Sequence, residues 1–106
     1  MSDVEVTHNE SLHQYEAPVG GSMAVAQYER HGSEIVFFHT EVPRALRGRG
    51  VGTALIQRAL DDARAENLTV VPMCSFVSHY IGQHTEFLPL VDPVYRARIE
   101  TAASRR

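Results

Sequence analysis

Lysine is absent from this 106-residue chain, and all ten basic residues are arginine. A Walker-type phosphate loop, which ends in Gly-Lys-Ser/Thr, is therefore excluded. Cysteine occurs once, so no intramolecular disulfide can form and no oxidising compartment is implied. Positive charge is not in surplus: ten basic against thirteen acidic residues leave a net charge of -3, which argues against a general nucleic-acid binder. No apolar run approaches the ~18 residues of a membrane span. The N-terminal MSDVEVTHNE has neither the basic nor the apolar segment of a signal peptide, so a cytoplasmic protein is expected. Neither G-x-S-x-G nor H-E-x-x-H is present. The histidine pairs His8/His13 and His79/His84 do not make the i, i+4 spacing of a helical metal site, and no metal is expected. Internal repeats and low-complexity segments are also missing.

What remains is a single domain over residues 1–106, with 43% hydrophobic and 22% charged residues, ordinary values for a globular chain. Residues 1–10 alternate at Val4 and Val6 and read as a short edge strand, exposed enough to permit pairing between chains in a monomer or weak homodimer. Residues 12–17, 23–28 and 34–40 read as three further strands. Turns separate them at Pro18-Val19-Gly20-Gly21 and at Arg30-His31-Gly32-Ser33. Tight turns between successive strands imply an antiparallel meander. Beyond it, residues 68–71 form a short apolar strand ended by Pro72, and residues 75–83 carry Phe76, Val77, Tyr80 and Ile81 at helical spacing. Pro89 and Pro93 then bracket a loop, and 94–106 is a polar tail open to a helix, with residues 1–10 and 95–106 peripheral to the domain.

Residues 37–60, FFHTEVPRALRGRGVGTALIQRAL, organise the chain. An apolar strand runs into a turn at Pro43, three glycines follow at alternate positions (Gly48, Gly50, Gly52), and a helix spans 50–66. Leu55, Ile56, Ala59, Leu60 and Ala63 make its buried face, and Asn67 stands where a left-handed terminal residue is expected. A strand, a glycine-rich turn and a helix start make a phosphate site, because unpaired N–H groups and the helix dipole meet a ligand that glycines allow to approach closely. The third glycine comes one residue too early for G-x-G-x-x-G. What fits is R-x-x-G-x-G at Arg47, Gly50 and Gly52.

That pattern, within HTEVPRALRGRGVGTALIQRAL and followed by VVPMCSFVSHYIGQH, resembles the pyrophosphate loop of the GNAT acetyltransferase superfamily, and in particular its minimal single-domain members. The resemblance covers roughly residues 12–91. It implies an α/β fold built on a GNAT-like mixed sheet, an antiparallel meander followed by α-β-α, in a minimal version lacking the early helices. It also implies acetyl-coenzyme A as co-substrate, a small-molecule or peptide amine as acceptor, and a fourth and fifth strand that splay apart around the acyl arm. A coenzyme A-binding module without turnover is the alternative.

By that resemblance Val42, Arg44, Arg47, Gly48, Arg49, Gly50, Val51, Gly52 and Thr53 hold the cofactor, and a main-chain N–H near Glu41 or Val42 polarises the thioester carbonyl. Cys74 lies by the cofactor's sulfur and is a nucleophile only if a neighbour lowers its pKa; otherwise it is an inert core thiol. Strand alternation puts His39 and Glu41 on one face, where either could relay the amine's proton if that face lines the cleft. Tyr80 matches, approximately, a tyrosine that donates to the departing thiolate, against a plain core role. His79 and His84 read as surface residues.

Overall fold

The computed structural model describes residues 4–104; the expected strand at 1–10 therefore lies partly outside the described residues. Five strands form one sheet in the order β1 to β5, comprising β1 (Thr7–Asn9), β2 (Gln14–Val19), β3 (Ser22–His31), β4 (Glu34–Glu41) and β5 (Thr69–Pro72). The first four pair antiparallel and β5 pairs parallel to β4. Helix α1 (Val51–Ala65) crosses over from β4 to β5, α2 (Ser75–Gln83) follows β5, and α3 (Pro93–Ser104) ends the described chain. No helix among these residues is long and apolar enough to cross a membrane.

The meander differs from expectation at its turns, for local reasons. Strand β2 starts two residues late because Glu10 to His13 closes a turn, with His13 at φ 53 and its N–H on the Glu10 carbonyl at 3.2 Å. It also runs on through Pro18, which pairs with Met23 beyond the end of short β1, so the missing donor leaves no ladder bond broken. Both hairpins then close on two residues, Gly20-Gly21 and Gly32-Ser33, with Gly20 and Gly32 at positive φ.

Between β1 and β2 there is only that turn, and among the described residues no helix precedes β4. One face of the sheet is covered: Tyr15, Ala24, Ala26, Tyr28, Ile35, Phe37 and Val70 are buried under Leu55, Ile56, Ala59 and Leu60 of α1 and Val77 and Ile81 of α2. Residues pointing the other way, such as Glu16, Val25, Gln27 and Val71, are nowhere buried among the described strands. Below α1, Tyr15 donates its hydroxyl to Asp62 at 2.8 Å, and Arg58 reaches the same carboxylate and the Val6 carbonyl.

Helix α1 stops as its sequence dictates. Asn67 takes φ 57, its N–H bonds the Arg64 carbonyl, and the Leu68 N–H returns to the Ala63 carbonyl at 2.9 Å. These two bonds satisfy carbonyls the helix would otherwise leave orphaned. The segment after α2 is not a simple loop. It makes a 3-10 stretch at Thr85–Leu90, and Val91 then bridges Val70 in parallel, extending the sheet by one contact beyond β5. The tail is helical from Pro93, with the Asp92 carboxylate accepting the Val94 N–H at 3.1 Å.

Candidate active site

Two departures from regular pairing build the site. The first is a bulge in β4. Gln27 faces His39 but Tyr28 faces Phe37, so Phe38 is an extra residue without a partner. Up to Phe37 the odd-numbered residues point at the helices; after the bulge Thr40 does, opposite Ala26. The second departure is the end of pairing between β4 and β5. Their register runs from Glu34↔Thr69 to Phe37↔Pro72 and stops, leaving Phe38 to Glu41 without a partner on that side. The Cys74 N–H makes a last bond to the Phe37 carbonyl at 2.9 Å. A gap thus opens between β4 and β5, as a splayed pair requires.

Beside the gap the chain turns through a 3-10 segment at Arg44–Leu46, anchored by buried Leu46, and enters the glycine run. Gly48 and Gly50 take φ 79 and φ 78, conformations costly for any residue with a Cβ. Gly50 caps α1 with no side-chain hydrogen bond. The N–H groups of Val51, Gly52 and Thr53 consequently have no intrahelical acceptor; that of Ala54 is the first to find one, the Gly50 carbonyl at 3.0 Å. Gly52 is needed for a different reason. A Cβ there would lie 2.6 Å from Phe76 Cζ and 3.2 Å from Val42 Cγ2.

A cavity of about 580 Å³ lies against this loop, bounded by Arg47, Gly50, Gly52, Thr53, Thr40 and Phe76 among others. Arg47 also closes the loop on itself, its Nε donating to the Val42 carbonyl at 3.3 Å. Arg44 and Arg49 are exposed and do not border the cavity, though they stand on the same turn. None of the three guanidiniums is ion-paired among the described residues. The loop therefore presents uncompensated positive charge, free N–H groups and a helix dipole to one concave space.

The residues singled out for chemistry are placed as follows. Cys74 is half-buried at the N-cap of α2, and its thiol donates to Thr40 Oγ1 at 3.4 Å, which ties it to the cavity wall. His39 and Glu41 do share a face, but the bulge turns it outward: they pair with Gln27 and Val25 on the uncovered side of the sheet and do not border the cavity. Tyr80 is only 6% exposed and stacks on His84, with ring centroids 4.0 Å apart. Burial raises its pKa above the ordinary tyrosine value, with Glu86 and Asp61 adding to the shift. It too lies away from the cavity. His84 is half-buried rather than on the surface, its Nδ1 at 2.9 Å from the Tyr80 carbonyl. Thr40, Leu46 and Phe76 complete the cavity and were not anticipated as site residues. Thr40 turns inward only through the bulge, and Phe76 reads as one more apolar position of α2.

Comparison with known proteins agrees with this geometry. Residues 14–90, well over half the chain, match the GCN5-related N-acetyltransferase family. The chain is 34% identical to the protein named NATD1 from mouse (Mus musculus) over 92% of its length and 86% of the relative's. It is likewise 34% identical to human (Homo sapiens) NATD1 over 92% of this chain and 83% of that one. The NMR structure of a GCN5-like protein from Staphylococcus aureus superposes with a TM-score of 0.67 at 26% identity, covering 87% of this chain and 91% of that one. That family generally uses acetyl-coenzyme A and acts on small-molecule or peptide amines. With a mixed five-stranded sheet, a glycine-loop helix and a splay between its fourth and fifth strands, the chain belongs to the GCN5-related N-acetyltransferase family and is an acetyltransferase of that family.

Proposed function

We propose that this chain transfers an acetyl group from acetyl-coenzyme A to an amine, with the pyrophosphate held by residues 47–53 and the acyl end directed into the gap beside Thr40 and Cys74. The observation that carries this reading is the uncapped start of α1. Three free N–H groups, two glycines at positive φ and a third whose Cβ position is filled by Phe76 border a single cavity. A diphosphate suits this donor set: it is polyanionic, it accepts from several N–H groups at once, and it tolerates no side chain between itself and the main chain. Arg47 adds charge at the cavity wall, and Arg44 and Arg49 raise the local anion concentration from the rim.

Bound acetyl-coenzyme A supplies an activated thioester. The amine nitrogen forms a C–N bond to the acetyl carbon as the C–S bond breaks, the sulfur leaves as a thiolate, and the amine gives up one proton. The protein's part is to exclude water, to orient the two reactants and to stabilise charge. Main-chain N–H groups on the unpaired stretch of β4, near Glu41 and Val42, are the donors at hand for the thioester oxygen. The uncapped start of α2 favours negative charge at Cys74, whether on its own sulfur or on a departing thiolate beside it.

The test is thermal stability with acetyl-coenzyme A in excess. At about 100 times its Kd a ligand adds about 2.7 kcal/mol, a rise of roughly 10 °C for a domain of this size. Arg47→Ala is expected to reduce the shift and Gly50→Asp to abolish it. A wild-type protein that shows no shift with acetyl-coenzyme A overturns the reading.

A further inference from the structure

A second cavity, of about 370 Å³, lies on another side of α2, between it and α3. Cys74 links the two: its chain neighbours Met73 and Ser75 wall the second cavity, while its thiol bonds Thr40, which walls the first. The second is built from one stripe of α2, where Ser75, Ser78, His79 and Gly82 recur at spacings of three and four, facing Tyr95 and Ile99 of α3. Ile99 seats against Gly82 at 3.6 Å from where a Cβ would stand, which fixes how closely the helices approach.

The charge of this cavity is one-sided. Arg98 and His79 border it, no Asp or Glu does, and the uncapped N-terminus of α2 adds positive potential at its Ser75 end. Among the described residues Arg98 makes neither an ion pair nor a hydrogen bond; its guanidinium lies 5.1 Å from the Tyr95 ring centroid and keeps its donors free. Pro72, Tyr95 and Ile99 supply an apolar wall. A guanidinium stacked on an aromatic ring with open donors suits a planar carboxylate, which it can bind through two parallel bonds. The volume, at the low end for ligand pockets, suits a compact molecule.

Resting on the acetyl-transfer reading, we propose that this cavity is the acceptor pocket, and that it takes a small primary amine bearing a carboxylate. Arg98 receives the carboxylate, the apolar wall receives the spacer, and the amine points along Ser75 toward Cys74 and the gap. The acceptor and the acetyl donor then reach the same turn from two sides of α2. On transfer the nitrogen forms a bond to the acetyl carbon as the C–S bond breaks, and the proton lost by the amine passes to the departing thiolate.

The test is an amide-resolved NMR titration of the apo protein with β-alanine, γ-aminobutyrate and p-(aminomethyl)benzoate, each against its own uncharged amide. Shifts are expected at Ser75, His79, Gly82 and Ala102. Loss of a charged hydrogen bond predicts binding weaker by about tenfold for the amides and for Arg98→Ala. Ala102→Trp, which fills the cavity from α3, is expected to abolish the shifts while sparing the thermal response to acetyl-coenzyme A. Equal binding of acids and amides, or unchanged affinity in Arg98→Ala, overturns the proposal. An acetyl-coenzyme A response without any shift at these residues overturns the acceptor pocket alone. Shifts without that response overturn the acceptor assignment together with the proposed function.

Discussion

Gly52 offers the sharpest test of how the glycine loop works, because its side-chain space is already occupied. A Cβ there would stand 2.6 Å from Phe76 Cζ, 3.2 Å from Phe76 Cε2 and 3.2 Å from Val42 Cγ2. Carbon atoms rest at about 3.5–4.0 Å, so Gly52→Ala must displace the ring by roughly an ångström. Overpacking of this kind costs about 1–3 kcal/mol. Two effects oppose it: alanine gains up to about 1 kcal/mol over glycine in a helix, and Phe76, being 40% exposed, can swing outward. The net expectation is a loss of about 1 kcal/mol, a drop in Tm of about 4–8 °C. The decisive measurement is a double-mutant cycle by urea unfolding. In a Phe76→Ala background the obstruction is gone, and Gly52→Ala becomes neutral or stabilising, giving a coupling of about 1–2 kcal/mol. Equal costs in the two backgrounds would refute the claim that close approach is why glycine is there. Acetyl-coenzyme A should stabilise Gly52→Ala less than wild type in either background, since the methyl is added at a residue that borders the cavity.

Three further outcomes follow from the described contacts. Asn67→Ala should lower stability by about 1 kcal/mol and Asn67→Gly leave it nearly unchanged, because only the left-handed φ of 57 is at stake; unfolding midpoints at constant m-value check this. Asp62→Ala strands the buried Tyr15 hydroxyl and should cost about 1–3 kcal/mol, whereas Arg58→Ala, at an exposed pair, should cost under about 1 kcal/mol; the reverse order in urea would refute the network. Tyr15, Tyr28 and Tyr80 all have their pKa values raised, chiefly by burial, so above about pH 10 the unfolded chain loses protons that the folded chain keeps. Their contribution is full below that pH and is lost above it. Tm should therefore fall as pH rises through 10, with the tyrosinate absorbance of these three residues appearing together with unfolding rather than ahead of it.

The glycine loop and α1 were legible because each relies on a local rule. Glycines tolerate positive φ, apolar residues at 3.6 spacing bury one face, and asparagine accepts the left-handed cap. Gly48, Gly50 and Asn67 all take the conformations those rules demand. The start of α3 at Asp92-Pro93 obeys a local rule too, a cap followed by the proline best suited to a first turn, but Pro93 also fits the end of a loop and that reading hid it. The bulge was not. Ile35, Val36, Phe37 and Phe38 are all apolar, so the run shows no alternation in which a missing step could be noticed. That hidden residue turns His39 and Glu41 outward and Thr40 inward, reversing what simple alternation suggests. Tyr80 was ambiguous for another reason: it lies one turn from Phe76 on the same side of α2, and only tertiary packing decides that it stacks on His84 instead of facing the cavity.

The bulge also divides the labour along a single strand. Before Phe38, β4 is held by partners on both sides and its inward side chains are core; after it, the strand has lost β5 and its inward side chain borders the cavity. Tolerance to substitution should break at that point. Replacements at Ile35 or Phe37 would register as loss of folded protein, while replacements at Thr40 would leave the amount of folded protein intact and change only what it does. Deleting Phe38 would bring the two halves into phase and, with them, send Thr40 to the surface and His39 into the site. One residue in length, with no side-chain chemistry altered, would exchange the groups this fold offers to a substrate.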